Sequence, residues 1–224
     1  KFLKENELYY NRSNLWYVKR SFSIKRKGYL HMCNFTSNMY GYQNTQLENY
    51  DVVITHDDES GYEKVLPYDP VKDILSLDCD FGAYSYNTRL KNGEPHQGHL
   101  DTRINLFNHL VNFIKKYRII PKSKNLRNVL KMNNPENNFH KLEWADTYVI
   151  KTKMFKTASW KIWIKSVNES GGIYKYRWGD NEIYSLYAHL FLGNVHNFKT
   201  VEEGYHNQGK YRHLSNIAPS VKDT

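Results

Sequence analysis

The chain has only two cysteines, Cys33 and Cys79, in 224 residues. That excludes a thiolate metal cluster and a disulfide-rich scaffold, and leaves room for one disulfide at most. No apolar run approaches the roughly 18 residues of a membrane-spanning helix. No signal peptide, internal repeat or polybasic arm is visible. A Walker loop, a G-x-G-x-x-G turn, H-E-x-x-H and G-x-S-x-G are all absent. Their absence counts against an ATPase, a classical dehydrogenase, a zincin protease and an α/β-hydrolase. The chain opens at Lys1 rather than Met, which points to residues removed upstream.

What the sequence does have is tyrosine, 19 residues of it, within an aromatic content of 15%. Tyrosine offers a flat apolar face and a polar tip, which suits sugars and bases alike. The net charge of +9 favours anionic partners such as phosphates, nucleotides or nucleic acid, without choosing among them. Apolar residues make up 40%, enough for a core. The length suits one domain over 1–224, with 1–27 as an N-terminal segment of unassigned role and 208–224 as a tail. N-x-S/T sequons at Asn11, Asn34 and Asn168 are near chance in so Asn-rich a chain.

Tyr50-Asp51-Val52-Val53-Ile54 reads as a buried strand that runs out into Asp57-Asp58-Glu59. That acidic cluster is either a solvated turn or a chelate for Mn²⁺ or Mg²⁺ at a strand end. Leu66–Pro70 reads as a turn, Ile74–Asp80 as a short amphipathic piece and Phe81–Thr88 as a strand. Asp101 is the expected cap of a helix with Ile104, Phe107, Leu110, Val111 and Ile114 at helical spacing. Lys115, Lys116 and Arg118 crowd its end, and Pro121 closes it. Residues 122–138 read mostly as loop, with a helical turn near Leu126–Met132. Leu142–Ile150 reads as a strand, Lys153–Val167 as a helix ending at Gly171-Gly172, and Ile173–Trp178 as an aromatic strand. A helix follows Gly179-Asp180-Asn181, with Ile183, Leu186, Tyr187, Leu190 and Phe191 on its apolar face and Gly193 as its stop. The alternation makes the class α/β.

Three places carry chemistry. The first is the acidic cluster. The second is Arg177-Trp178-Gly179-Asp180, where Arg177 suits a phosphate and Asp180 is either a helix cap or a functional carboxylate. The third is Tyr205-His206, one of ten histidines and a possible metal ligand. His109 and His189 fall on helices and read as surface or packing residues.

In order and spacing these stretches resemble the fungal α-1,2-mannosyltransferases, glycosyltransferase family 15. Gly28-Tyr29-Leu30-His31-Met32-Cys33-Asn34-Phe35-Thr36-Ser37 is similar to that family's SYRHMCRFNSG. Tyr50 to Glu59 is similar to YDYYWRVEPD, and Tyr68-Asp69-Pro70 to YDP. Gly171 to Asp180 is similar to GGFFYERWGD, the helix to Phe191-Leu192 to APVHSIAAGLFL, and Gly204-Tyr205-His206 to GYYHPP. The resemblance covers roughly residues 28–207. It implies a GT-A-type nucleotide-diphospho-sugar transferase fold, a single Rossmann-like mixed sheet flanked by helices. It also implies retaining transfer of mannose from GDP-mannose to a glycan or glycoprotein hydroxyl, with Mn²⁺ or Mg²⁺ as cofactor.

By the same resemblance Asp57, Glu59 and His206 are the metal ligands. Tyr29, Arg177, Trp178 and Asp58 belong to the donor side, and Asp180 to catalysis. Tyr148 stands where the family has the glutamate proposed as nucleophile, and Asp146 is the nearest carboxylate. That departure favours attack from the face the diphosphate leaves, with Asp146 as an outside candidate nucleophile. The family's arginine before EPD is Thr55 here. No nucleic-acid partner is expected, and the implied compartment is the Golgi lumen if an N-terminal anchor was removed, and otherwise the cytoplasm as a soluble protein. The rival readings are a GT-A enzyme using a UDP-sugar, a nucleic-acid-binding module and a metal-dependent phosphoesterase.

Overall fold

A computed structural model describes residues 24–38, 49–55, 61–62, 68–85, 102–139, 142, 145–193, 195–198 and 205–206. In chain order the elements are α1 (Ile24–Asn38), β1 (Val52–Thr55), β2 (Gly61–Tyr62), α2 (Pro70–Ser76), β3 (Phe81–Ser85), α3 (Leu106–Tyr117), α4 (Lys124–Lys131) and α5 (Pro135–Asn138). They continue with β4 (Ala145–Lys151), α6 (Lys153–Lys156), α7 (Ala158–Ser170), α8 (Gly172–Tyr176), α9 (Asp180–Phe191), β5 (His196–Phe198) and β6 (Tyr205–His206).

The main sheet has the order β1-β4-β3-β5. Its first two pairings are antiparallel and β3–β5 is parallel, so the sheet is mixed. Alternation along β4 divides its two faces. Tyr148 and Ile150 join the large core, whereas Val149 joins Ile74, Cys79 and Phe198 under α2. Gly82 is required on that second face, because a Cβ there would stand 2.6 Å from the Phe198 ring. β1 is an edge strand, not the buried strand expected: Ile54 is 46% exposed. A two-stranded ladder pairs β2 with β6 and sets Gly61 opposite His206.

The large core surrounds α9, which is buried on nearly every side. Trp160 stacks on Tyr184 at 5.2 Å, and the Trp163 indole N–H donates to Ile183 O at 3.1 Å. Asp69 caps α2 by accepting from the Val71 and Lys72 amides, as an N-cap aspartate does. Thr157 does the same for α7 through the Trp160 amide. That cap splits the single helix expected from Lys153 into α6 and α7.

Other expectations are corrected. Ile173–Trp178 is helix α8 and its exit, not a strand. Its alternation Ile-Tyr-Lys-Tyr-Arg-Trp imitates a strand, but Gly171, at φ 66, turns the chain straight into another helix. The cap of α3 is Asn105 in the left-handed region, and Asp101 lies outside the described residues. Ile104 precedes that helix. Its buried face is Leu106, Phe107, Leu110 and Phe113, and it ends at Tyr117, ahead of Pro121. Residues 122–138 form two helices. β4 begins at Ala145, so Leu142 precedes it. α9 ends at Phe191, and its C-cap is Leu192 in an extended conformation, one residue before Gly193. Both cysteines are buried and free. Among the described residues, no helix is long and apolar enough to cross a membrane.

Candidate active site

The site is built on the turn from α8 into α9, against α1. Two glycines prepare that turn. Gly171 supplies the left-handed conformation that ends α7. Gly172 lies so close under the Trp178 ring that a Cβ would overlap it. Trp178 is 1% exposed, and its indole N–H donates to Ile104 O at 2.7 Å. With Trp178 turned inward, Arg177 is held in the left-handed region at φ 61. Its guanidinium lies 4.7 Å over the Tyr29 ring of α1, a cation–π contact. Gly179 is the N-cap and has no side chain, so Asp180 is the first residue of α9, not its cap.

Tyr29 and Cys33 are one helical turn apart and face Asp180 together. The Tyr29 hydroxyl donates to the Cys33 sulfur, the Cys33 thiol donates to the Asp180 carboxylate, and the Asp180 amide returns a bond to the sulfur. Burial raises the Tyr29 phenol well above its ordinary range and keeps it protonated. Burial, with the Asp180 charge beside it, pushes the Cys33 thiol up to about 12. Burial and the nearby Glu182 carboxylate push Asp180 up to about 6, partly offset by bonds from its own amide, the Asn181 amide and Cys33. Asp180 thus changes charge near neutral pH.

Glu182 is 5% exposed. Its Oε1 accepts from Thr102 Oγ1 at 2.6 Å and from Arg103 Nε at 3.4 Å. Its Oε2 reaches back over Gly179, the position an N3 glutamate takes toward its N-cap. Sequence reasoning missed Glu182 and Cys33. The spacing from Gly179 to Glu182 and from Tyr29 to Cys33 was the available signal.

The structure brings Tyr29, Arg177 and Asp180 together. It places Trp178 behind them, as a wall of the core. Tyr148 is 1% exposed, between Phe81 and Tyr184, and its hydroxyl donates to Asn181 Oδ1. Asp146 lies on β4 as a backbone position. Asp57, Asp58 and Glu59 lie outside the described residues. They fall in 56–60, between β1 and β2, and β2 carries the register partner of His206. Two carboxylates and an imidazole suit Mn²⁺ or Mg²⁺. Among the described residues no group of His, Cys, Asp and Glu could hold a metal. His109 and His189 are packing residues, as expected: His109 lies 5.0 Å from the Trp178 ring, and His189 Nδ1 bonds Ser123 Oγ.

The chain resembles solved structures at low identity. Core-mannan synthase A (CmsA/Ktr4) from Aspergillus fumigatus, in its Mn/GDP form, is 17% identical with a TM-score of 0.68, over 90% of this chain and 54% of that one. The mannosyltransferase Ktr4p from S. cerevisiae is 19% identical with a TM-score of 0.64, over 90% of this chain and 50% of that one. Its complex with GDP gives 19%, 0.65, 92% and 50%. The chain thus spans about half the length of these structures and shares their fold, the GT-A type expected. No curated protein matches. The model of one family, the glycolipid 2-alpha-mannosyltransferases, matches residues 2–216. With that match running over nearly its whole length, the chain belongs to the glycolipid 2-alpha-mannosyltransferase family, glycosyltransferase family 15.

Proposed function

We propose that this chain transfers mannose from GDP-mannose to a hydroxyl of a glycan or glycoprotein, with retention of configuration and with a divalent cation, Mn²⁺ or Mg²⁺. The observation that carries the reading is the Arg177–Tyr29 stack beside Asp180. A planar cation, an aromatic face and a carboxylate of adjustable charge meet at one turn. Core-mannan synthase A in its Mn/GDP form, on the same fold, supports the nucleotide and the metal.

Each residue has a task. Arg177 pairs with the diphosphate, and its stack on Tyr29 fixes the guanidinium plane. Asp180 accepts a hydrogen bond from the acceptor hydroxyl and orients it, and Cys33 and Tyr29 hold that carboxylate in place. Asp57, Glu59 and His206 would hold the cation, with Asp58 on the donor side. The cation, when bound, supplies positive charge against the leaving diphosphate. Tyr148 is enclosed by the core and engaged with Asn181, so this position offers no nucleophile to the sugar. Attack from the leaving-group face therefore suits the site better than a covalent sugar–enzyme step. The Golgi lumen is the compartment this reading implies.

The test is a donor panel. GDP-mannose and UDP-sugars are offered with a mannobiose acceptor and Mn²⁺, and the product anomer is read by NMR. An α-mannoside from GDP-mannose supports the reading. Turnover of a UDP-sugar alone removes mannose as the transferred sugar, and hydrolysis of phosphodiesters without an acceptor removes the transferase.

A further inference from the structure

A cleft of about 570 Å³ opens between α1 and the α7–α8 corner, on the side of α1 turned away from Asp180. At 100° per residue, Tyr29 and Cys33 share one side of α1, and His31, Asn34, Phe35 and Asn38 share the other. Asn168 and Tyr174 form the opposite wall. The volume lies within the range of small-molecule sites.

The chain carries 32 Lys and Arg, yet among the described residues no lysine, arginine, aspartate or glutamate lines this cleft. A phosphate or nucleic-acid site would have drawn basic side chains. Aromatic faces and carboxamides are there instead. Phe35 is 59% exposed, a large ring left in water at the mouth. The rings of His31 and Tyr174 meet edge to face at 5.6 Å, with the Tyr174 hydroxyl 3.3 Å from His31 Nδ1. Asn38 and Asn168 exchange amide bonds of 3.2 and 2.6 Å across the cleft, and Asn38 also reaches Asn34 Oδ1. These pairings hold the three amides in a fixed array. Each amide both donates and accepts, as a sugar hydroxyl does, and an aromatic face packs against pyranose C–H groups.

We propose that this cleft is a carbohydrate-binding subsite for a neutral oligosaccharide, separate from the turn that holds Asp180. Asn34 and Asn168 are also sequon residues, but both lie within helices, and Asn168 is engaged with Asn38. Binding from solution therefore suits the cleft better than a glycan attached to it.

The experiment is calorimetric titration of the protein with α-1,2-mannotriose, with maltotriose in a second arm, repeated on Phe35→Ala and Asn34→Ala. GDP with Mn²⁺ is titrated into each sample, and thermal unfolding checks that each is folded. The expected result is saturable binding of a trisaccharide, weakened about tenfold or more by Phe35→Ala, the loss of one aromatic contact. GDP binding should be the same in parent and variants. The mannotriose and maltotriose arms decide which sugar the subsite prefers. Absence of saturable binding in both arms, or binding that both variants keep, overturns the proposal whatever GDP does.

Discussion

Glu182 closes over Gly179. Its Oε2 stands where a side chain on Gly179 would begin, while Thr102 and Arg103 hold its Oε1. The first turn of α9 is therefore locked from outside the helix. Gly179→Ala should cost about 1–3 kcal/mol, the usual range for overpacking a well-packed site. Thr102→Val loosens the glutamate, so the double variant should be less destabilised than the two single costs added together. Urea unfolding of the four proteins checks this.

Asp180 makes stability depend on pH in an unusual direction. Its carboxyl titrates near 6 in the folded chain, against an ordinary 3.8. Between those values the folded chain holds the extra proton, so the group's contribution is complete below about pH 4 and lost as pH rises to 6. Asp180→Asn should be more stable than the parent at pH 7, by about 1–3 kcal/mol, and little changed at pH 4. It should also lose transfer activity. Thermal unfolding at the two pH values separates these effects.

His109 acts with the opposite sign. Burial between Trp163 and Trp178 lowers its imidazole from 6.5 to about 4. The unfolded chain takes up this proton first, so stability is present above pH 6.5 and falls away as pH drops to 4. His109→Leu should flatten that acid limb in unfolding curves collected from pH 7 to 4, while leaving the Asp180 dependence in place.

Arg177 holds a left-handed backbone for the sake of its side chain. Arg177→Gly should relax the backbone and be at least as stable as Arg177→Ala. Both should weaken GDP binding by tenfold or more, the scale of a lost charge-assisted contact. Arg177→Lys keeps the charge but loses the planar stack on Tyr29, so it should restore only part of the affinity. Titrations at two salt concentrations would separate charge from stacking.

The sequence was most legible where one pattern ruled. Ile183, Leu186, Tyr187 and Leu190 mark α9 by spacing alone, and all four are buried. β1 was visible as an apolar run, β3 by its alternation, and β4 within the strand expected over Leu142–Ile150. The misread stretch, 173–178, alternates like a strand. Its helix depends on the Gly172–Trp178 contact, which no local window contains. α1 escaped because its buried face is Tyr29, Cys33 and Ser37, where two of three are not typical core residues. The site followed the same division. Tyr29, Arg177 and Asp180 could be read from motif order. Cys33 and Glu182 belong to the site only because α1, α9 and residues 102–103 meet in three dimensions. Burial of Tyr148 likewise depends on Phe81 and Tyr184, both distant in sequence.

The most direct test of the transferase account is calorimetric binding of GDP with Mn²⁺ and then with chelator, on the parent chain and on Asp57→Ala and His206→Ala. The account predicts that GDP binds with Mn²⁺, binds at least tenfold more weakly without it, and loses the metal effect in both variants. GDP affinity indifferent to Mn²⁺, or a metal effect kept by both variants, would contradict it.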